Sequence, residues 1–240
     1  MTRPVYIKHY ADPARAIAAG AHLSWLRQLC SGVRLPHLHR GTAPHLVLEH
    51  LDGRLVQPAD LEHVAAVLGR LHGTAHAREL HAAHLDRDYT SSTGLTLRRF
   101  PTGREHVLTD ADTGLTDLPA ALYKDCNLRN VVITADGPAL VDFDDLTLAP
   151  FGYDLAKLVV STAMTHGRLP DDQIGAALHA YNVAVDSTGA GAAECTWRQL
   201  AQYSEIHHRL TARYVGRNGY QHPWPAVSPW PRPSAETRPR

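Results

Sequence analysis

Asp125 and Asn130 stand five residues apart in Lys124-Asp125-Cys126-Asn127-Leu128-Arg129-Asn130, and Asp142 follows twelve residues later in Leu140-Val141-Asp142-Phe143-Asp144-Asp145. A carboxylate, an amide and a second carboxylate in that order suit phosphoryl transfer. Charge on the transferred group must be neutralised, and Mg2+ does this from hard oxygen ligands, typically a carboxylate and an amide beside nucleotide phosphates. Another aspartate must orient the attacking hydroxyl and accept its proton. Between the two motifs, Val131-Val132-Ile133-Thr134 and Ala139-Leu140-Val141-Asp142-Phe143 read as strands of a hairpin, with Ala135-Asp136-Gly137-Pro138 as the turn. The hairpin folds Asp142 back beside the loop, so the three side chains can converge.

Other elements must frame this block. Val5-Tyr6-Ile7-Lys8-His9-Tyr10 alternates apolar and polar residues and predicts a strand. Asp12-Pro13 reads as an N-cap and first helical position, opening a helix over 14–29. Short strands follow over 35–39 and 45–51, the second stopping at the turn signal Asp52-Gly53. Leu61, Val64, Leu68, Leu71 and Ala75 lie on one helical face. Residues 86–118 show no clear pattern beyond a short helical possibility over 98–108. The last third predicts helices over 153–166, 171–185 and 194–216.

Composition bounds the function. Hydrophobic residues make up 44% of the 240 and charged residues 20%, a globular balance. Lys+Arg and Asp+Glu are 24 each, so a broad footprint for nucleic acid is not indicated. No apolar run approaches a membrane span, and residues 1–8 lack the apolar core of a signal peptide. Cys30, Cys126 and Cys195 are scattered without a Cys-x-x-Cys pair, which predicts free thiols in a reducing cytoplasm. Cys126 has no dedicated histidine and reads as a small packing residue beside Asp125. His72-x3-His76 has a spacing zinc can use, but there is no His-Glu-x-x-His and the chain holds 17 histidines, so capping or hydrogen bonding is the reading. Only Lys8, Lys124 and Lys157 among the 24 basic residues are lysine, so each lysine position invites a question.

The Lys124–Asn130 block followed by Leu140–Asp145 resembles the aminoglycoside phosphotransferase and choline kinase superfamily, as do Gly152-Tyr153-Asp154-Leu155-Ala156, Leu71-His72 and the hinge-like Leu48-Glu49-His50-Leu51-Asp52-Gly53. The resemblance spans about residues 5–165. It implies an α+β, protein-kinase-like two-lobe fold: a small, incomplete β-rich N-terminal lobe over 1–51 and a larger, mainly helical C-terminal lobe over 52–221. Residues 222–240 are Pro-rich and lack periodicity, which predicts a disordered tail. The resemblance also implies roles. Asp125 is the catalytic base or hydroxyl-orienting residue, and Asn130 and Asp142 hold Mg2+. Lys8 meets the α/β-phosphates of ATP or another nucleoside triphosphate, and the backbone near Glu49 and Leu51 meets the base. Asp154 braces the catalytic loop, while Asp144 is an extra metal ligand, a support for one, or a solvated turn residue.

Three departures from the family pattern stand out. The chain begins almost at the Lys8 strand, without the two strands and Gly-rich loop that normally cover the phosphates. The helix over 14–29 holds no Asp or Glu to pair with Lys8, and Tyr123-Lys124-Asp125 replaces His-Gly-Asp. The expected function is an ATP- and Mg2+-dependent O-phosphotransferase acting on a small hydroxylated molecule. The alternatives are a kinase-like binding or regulatory module, and a subunit that phosphorylates peptide Ser/Thr with a partner chain completing the small lobe. Over 160–221 five acids face five arginines, which is not an obviously anionic pocket for a polycationic acceptor.

Overall fold

A computed structural model describes residues 4–191 and 194–230. The alternating run near the start forms β1 (Val5–His9). The Asp12 carboxylate then accepts the Ala14 N–H at 2.9 Å and starts α1 (Pro13–Gln28), with Pro13 where its missing N–H costs nothing. With β2 (Leu38–Thr42) and β3 (His45–Glu49) the first strand makes an antiparallel sheet in the order β1-β3-β2. Lys8 lies opposite Leu46 and Tyr6 opposite Leu48, so these four share one face. α1 packs against the sheet and buries Ala16, Ala19, Leu23 and Leu26. The strand expected over 35–39 forms three residues later, because Leu35 is drawn into the core and the register slips between Leu38 and Arg40. β1 is the sheet's edge and leaves Val5, Tyr6 and Ile7 exposed.

The rest of the chain is mainly helical. β4 (Arg54–Leu55) leads into α2 (Leu61–Arg78), whose predicted apolar face is wholly buried. β5 (Tyr89–Thr90) and β6 (Thr96–Leu97) pair as a small ribbon. Residues 98–108, expected as a short helix, form turns instead: Pro101 and Gly103, at φ 77°, interrupt the helical path. β7 (Ala120–Tyr123) precedes loop 124–130. The hairpin is β8 (Val131–Thr134) with β9 (Gly137–Leu140), and β10 (Thr147–Pro150) returns to pair with β7. The second hairpin strand, expected to reach residue 143, ends at Leu140, because Asp142 turns to a φ of 64° that a strand cannot carry.

α3 (Tyr153–His166), α4 (Asp171–Asp186) and α5 (Trp197–Thr211) follow, with α2 packed along α4 and α3 along α5. α5 is shorter than the 194–216 expected. Thr196 Oγ1 accepts the Gln199 N–H while Gln199 Oε1 accepts the Thr196 N–H, and this reciprocal cap sets its start. Residues 222–230, expected as part of a disordered tail, pack onto the helices. In α6 (Trp224–Val227) the Trp224 ring is buried, and its indole N–H donates to Glu205 Oε1 at 2.7 Å. A large aromatic surface with one satisfied polar group anchors a segment that has no periodicity to announce it. The remainder of that expectation, 231–240, lies outside the described residues. Among the described residues no helix is long and apolar enough to cross a membrane.

Gly152 joins β10 to α3 at φ 83°, and a Cβ there would stand 2.1 Å from Cys195 Sγ. Gly152→Ala should therefore combine left-handed strain with overpacking and cost about 2–4 kcal/mol. A urea unfolding curve with an unchanged midpoint would contradict this packing.

Candidate active site

Loop 124–130 is held from below by one buried carboxylate. Asp154, in the first turn of α3, accepts the Lys124 N–H at Oδ2 (2.9 Å) and the Cys126 N–H at Oδ1 (2.7 Å). These bonds flank Asp125, whose backbone sits at φ 62°. A non-glycine residue in that region persists only where its surroundings over-determine it. Behind Asp154, the Tyr181 hydroxyl lies 2.8 Å from His72 Nδ1 and accepts the Gly152 N–H at 2.9 Å, tying α2, α3 and α4 to the same point. Cys126 is fully buried, and burial pushes its thiol well up, as befits a packing residue.

The loop is laced to the hairpin. Asn130 Nδ2 donates to Asp125 O at 2.8 Å, Val141 N donates to Asn130 O at 3.0 Å, and Lys124 Nζ donates to Val141 O at 3.1 Å. Residues separated by up to seventeen positions are thereby brought to one place. Because its amide nitrogen is engaged, Asn130 presents Oδ1 as its free acceptor.

Lys8 reaches this place from the small sheet. Its ammonium lies 2.8 Å from Asp142 Oδ1 and 2.6 Å from Asp144 Oδ1. Burial works against the charge, but the two carboxylates win and hold the ammonium above its ordinary value. The lysine deprived of an acidic partner on α1 thus finds two on the segment after the hairpin. Asp144 also accepts the Tyr10 hydroxyl at 2.8 Å, and Arg15 stands 3.6 Å from its Oδ2. Against the effect of burial, Lys8 and the Tyr10 hydroxyl keep its carboxyl below the usual range. α1 makes its own link through His22 Nδ1, which donates to Phe143 O at 2.7 Å.

A cavity of about 260 Å³ opens between the small sheet, α1 and the hairpin. Lys8, Glu49, Leu51, Asn130 and Asp142 all line it, with apolar walls from Leu46, Leu48, Val132 and Phe143. The Glu49 carboxylate is engaged by Arg34, at 2.6 and 3.0 Å, and by the His37 N–H at 3.1 Å.

Asp125 is not among the residues that line the cavity. Its carboxylate accepts the Tyr123 hydroxyl at Oδ1 (2.9 Å) and Asn127 Nδ2 at Oδ2 (3.1 Å), and Lys157 Nζ lies 3.4 Å from Oδ1. Burial would raise its pKa; Lys157, the Tyr123 hydroxyl and Lys124 together outweigh that and hold it below the usual carboxylate value. His207, stacked on Tyr123, is kept neutral by burial and by Lys157. Arg104 is buried over the Tyr123 ring and donates to Tyr153 Oη, Thr147 Oγ1 and the Phe100 carbonyl. Sequence reasoning assigned no role to Lys157, Tyr123 or Arg104; the signals that touched them were the rarity of lysine and the replacement of His-Gly-Asp by Tyr123-Lys124-Asp125. The two histidines weighed for zinc make hydrogen bonds instead, His76 Nδ1 to Ala120 O at 2.8 Å. Among the described residues no group of three or more His, Cys, Asp or Glu side chains is arranged to hold a metal.

The description "Phosphotransferase enzyme family" matches residues 9–194, more than half of the chain. The chain belongs to the phosphotransferase enzyme family. No curated protein matches it in sequence. Its fold is similar to that of choline kinase LicA from Streptococcus pneumoniae, with a TM-score of 0.57 at 12% identity over 87% of this chain and 75% of that one. It is also similar to macrolide 2'-phosphotransferase MphH from Brachybacterium faecium, with a TM-score of 0.54 at 17% identity over 95% and 85%. A third similar structure is amicoumacin kinase hAmiN in complex with AMP-PNP, Ca2+ and Ami (0.52, 17%, 85% and 70%). At these identities the likeness shows the fold, which is α+β and protein-kinase-like.

For a phosphotransferase, the donor set fits a divalent cation. Asn130 Oδ1 and the Asp142 carboxylate are hard oxygens beside one cavity, and two protein ligands suffice where phosphates and waters complete the coordination. Asp154→Asn leaves one carbonyl oxygen to serve two backbone N–H groups. It should cost about 1–3 kcal/mol and speed amide exchange at Lys124 and Cys126; unchanged exchange at both would refute the clamp.

Proposed function

We propose that the chain transfers the γ-phosphoryl group of ATP, or of another nucleoside triphosphate, to a hydroxyl of a small molecule, with Mg2+. The observation that carries this reading is the lacing of Asp125, Asn130 and the residue before Asp142 into one unit, with Lys8 delivered onto Asp142 from the opposite side of a cavity. In it, Lys8 meets nucleotide phosphates, and the backbone by Glu49 and Leu51 borders the base. Asn130 and Asp142 would hold the Mg2+, which when bound neutralises phosphate charge. Asp125 orients the acceptor hydroxyl. A bond forms from its oxygen to the γ-phosphorus as the bond to the β,γ-bridging oxygen breaks, and the hydroxyl proton passes to the Asp125 carboxylate. The nucleotide analogue and divalent cation in the amicoumacin kinase complex support the choice of cofactors.

The acceptor is neutral or anionic in this reading. Asp125 and Asp154 are the acids at the loop, and Lys157, Lys124 and Arg104 stand around them. The acids around Asp125 are therefore not in the excess that selects a polycation.

Asp125→Asn should lower kcat by about 10²–10⁴-fold while a thermal shift with Mg·ATP persists. Asp142→Asn should abolish that shift. Full activity in both variants would sink the mechanism. Against a panel of acceptors, neutral hydroxyl compounds should give a higher kcat/KM than polycationic aminoglycosides, and the reverse order would overturn the acceptor class.

A further inference from the structure

The chain's default cation is arginine, yet all three of its lysines stand at the site. Lys8 engages Asp142 and Asp144, Lys124 engages the Val141 carbonyl, and Lys157 stands against Asp125. Lys157 arrives from α3, remote in sequence from the catalytic loop, and its side chain is 9% exposed. A buried ammonium is costly unless an opposite charge compensates it, and the Asp125 carboxylate is the group that does so here. A guanidinium would bring five donors in a planar fork, whereas an ammonium concentrates its charge on one carboxylate oxygen.

The two oxygens of Asp125 are not equivalent. Oδ1 takes the Tyr123 hydroxyl and the Lys157 ammonium, while Oδ2 takes Asn127 Nδ2. Each carboxylate oxygen offers about two lone-pair sites. Oδ1 thus carries one hydrogen bond and the nearby ammonium charge, while Oδ2, with the Asn127 bond alone, keeps a site for a further donor such as an acceptor hydroxyl.

We propose that Lys157 is a positioning residue of the transfer step: it pins Oδ1 of Asp125 so that Oδ2 faces the acceptor hydroxyl. This rests on the phosphotransfer reading and deepens it. Lys157 does not line the cavity that Lys8 and Leu51 share, so its loss should fall on turnover and leave nucleotide affinity intact.

The test uses the whole chain with lysine labelled by nitrogen-15, which yields three side-chain ammonium signals. Asp125→Asn should shift the Lys157 signal, assigned by its disappearance in Lys157→Arg. In parallel, Lys157→Met should lower kcat by about 100-fold with the ATP dissociation constant and KM for ATP unchanged, and Lys157→Arg, which keeps the charge but spreads it over a planar fork, should recover only part of that loss. An unmoved Lys157 signal in Asp125→Asn overturns the assignment even where Lys157→Met does not fold. Wild-type turnover in Lys157→Met overturns it as well, and leaves phosphotransfer standing. A wild-type chain that neither binds nor turns over Mg·ATP overturns the phosphotransfer reading, and this assignment with it.

Discussion

Two hydrogen bonds from the backbone to one buried carboxylate organise this molecule. Asp154 receives the N–H groups on either side of Asp125, and everything functional is referred to that clamp. A carboxylate with no exposure is tolerated only where donors surround it, and here the donors are the backbone of the loop that must be held. The clamp also explains how Asp125 stays at a positive φ. The constraint comes from the first turn of α3, which Gly152 and Tyr181 fix in turn. Loop conformation is thus set by helix packing, and a core change two helices away reaches the site.

Charge is distributed around the site in two separate pairings. On the cavity side Lys8 stands between Asp142 and Asp144; on the far side Lys157 stands on Asp125. The pairs meet through Asn130 and the Val141 backbone rather than through a shared ion pair. Under the proposed function, a nucleotide phosphate entering the first pairing would compete with carboxylates for Lys8.

Much of this was legible in the residue order. Asp-x4-Asn, a hairpin and Asp-Phe are local motifs whose spacing limits where the chain can go, and the helices of the last third carry strong periodicity. What escaped depended on distant partners. Whether Lys8 has an acidic neighbour cannot be read from α1 when the acids lie more than 130 residues away, beyond the hairpin. The premature end of β9 follows from the φ of Asp142, and an aspartate does not announce that conformation as a glycine would. The burial of Trp224 reflects a hydrogen bond to Glu205 across nineteen residues, invisible to any period. Lys157 lay in plain sight in a helical run, and only the fold reveals which carboxylate it faces.

The concentration of every lysine at one locus has a chemical corollary. In most proteins an amine-directed acylating reagent or aldehyde scatters over a surface rich in ε-amino groups and does little harm. Here the most reachable ε-amine is that of Lys8, 22% exposed at the mouth of the cleft, while those of Lys124 and Lys157 lie behind it. Reagents that ordinarily tag lysines would, on this chain, react sluggishly, because Lys8 is held as an ammonium between two carboxylates and the other two lysines are buried.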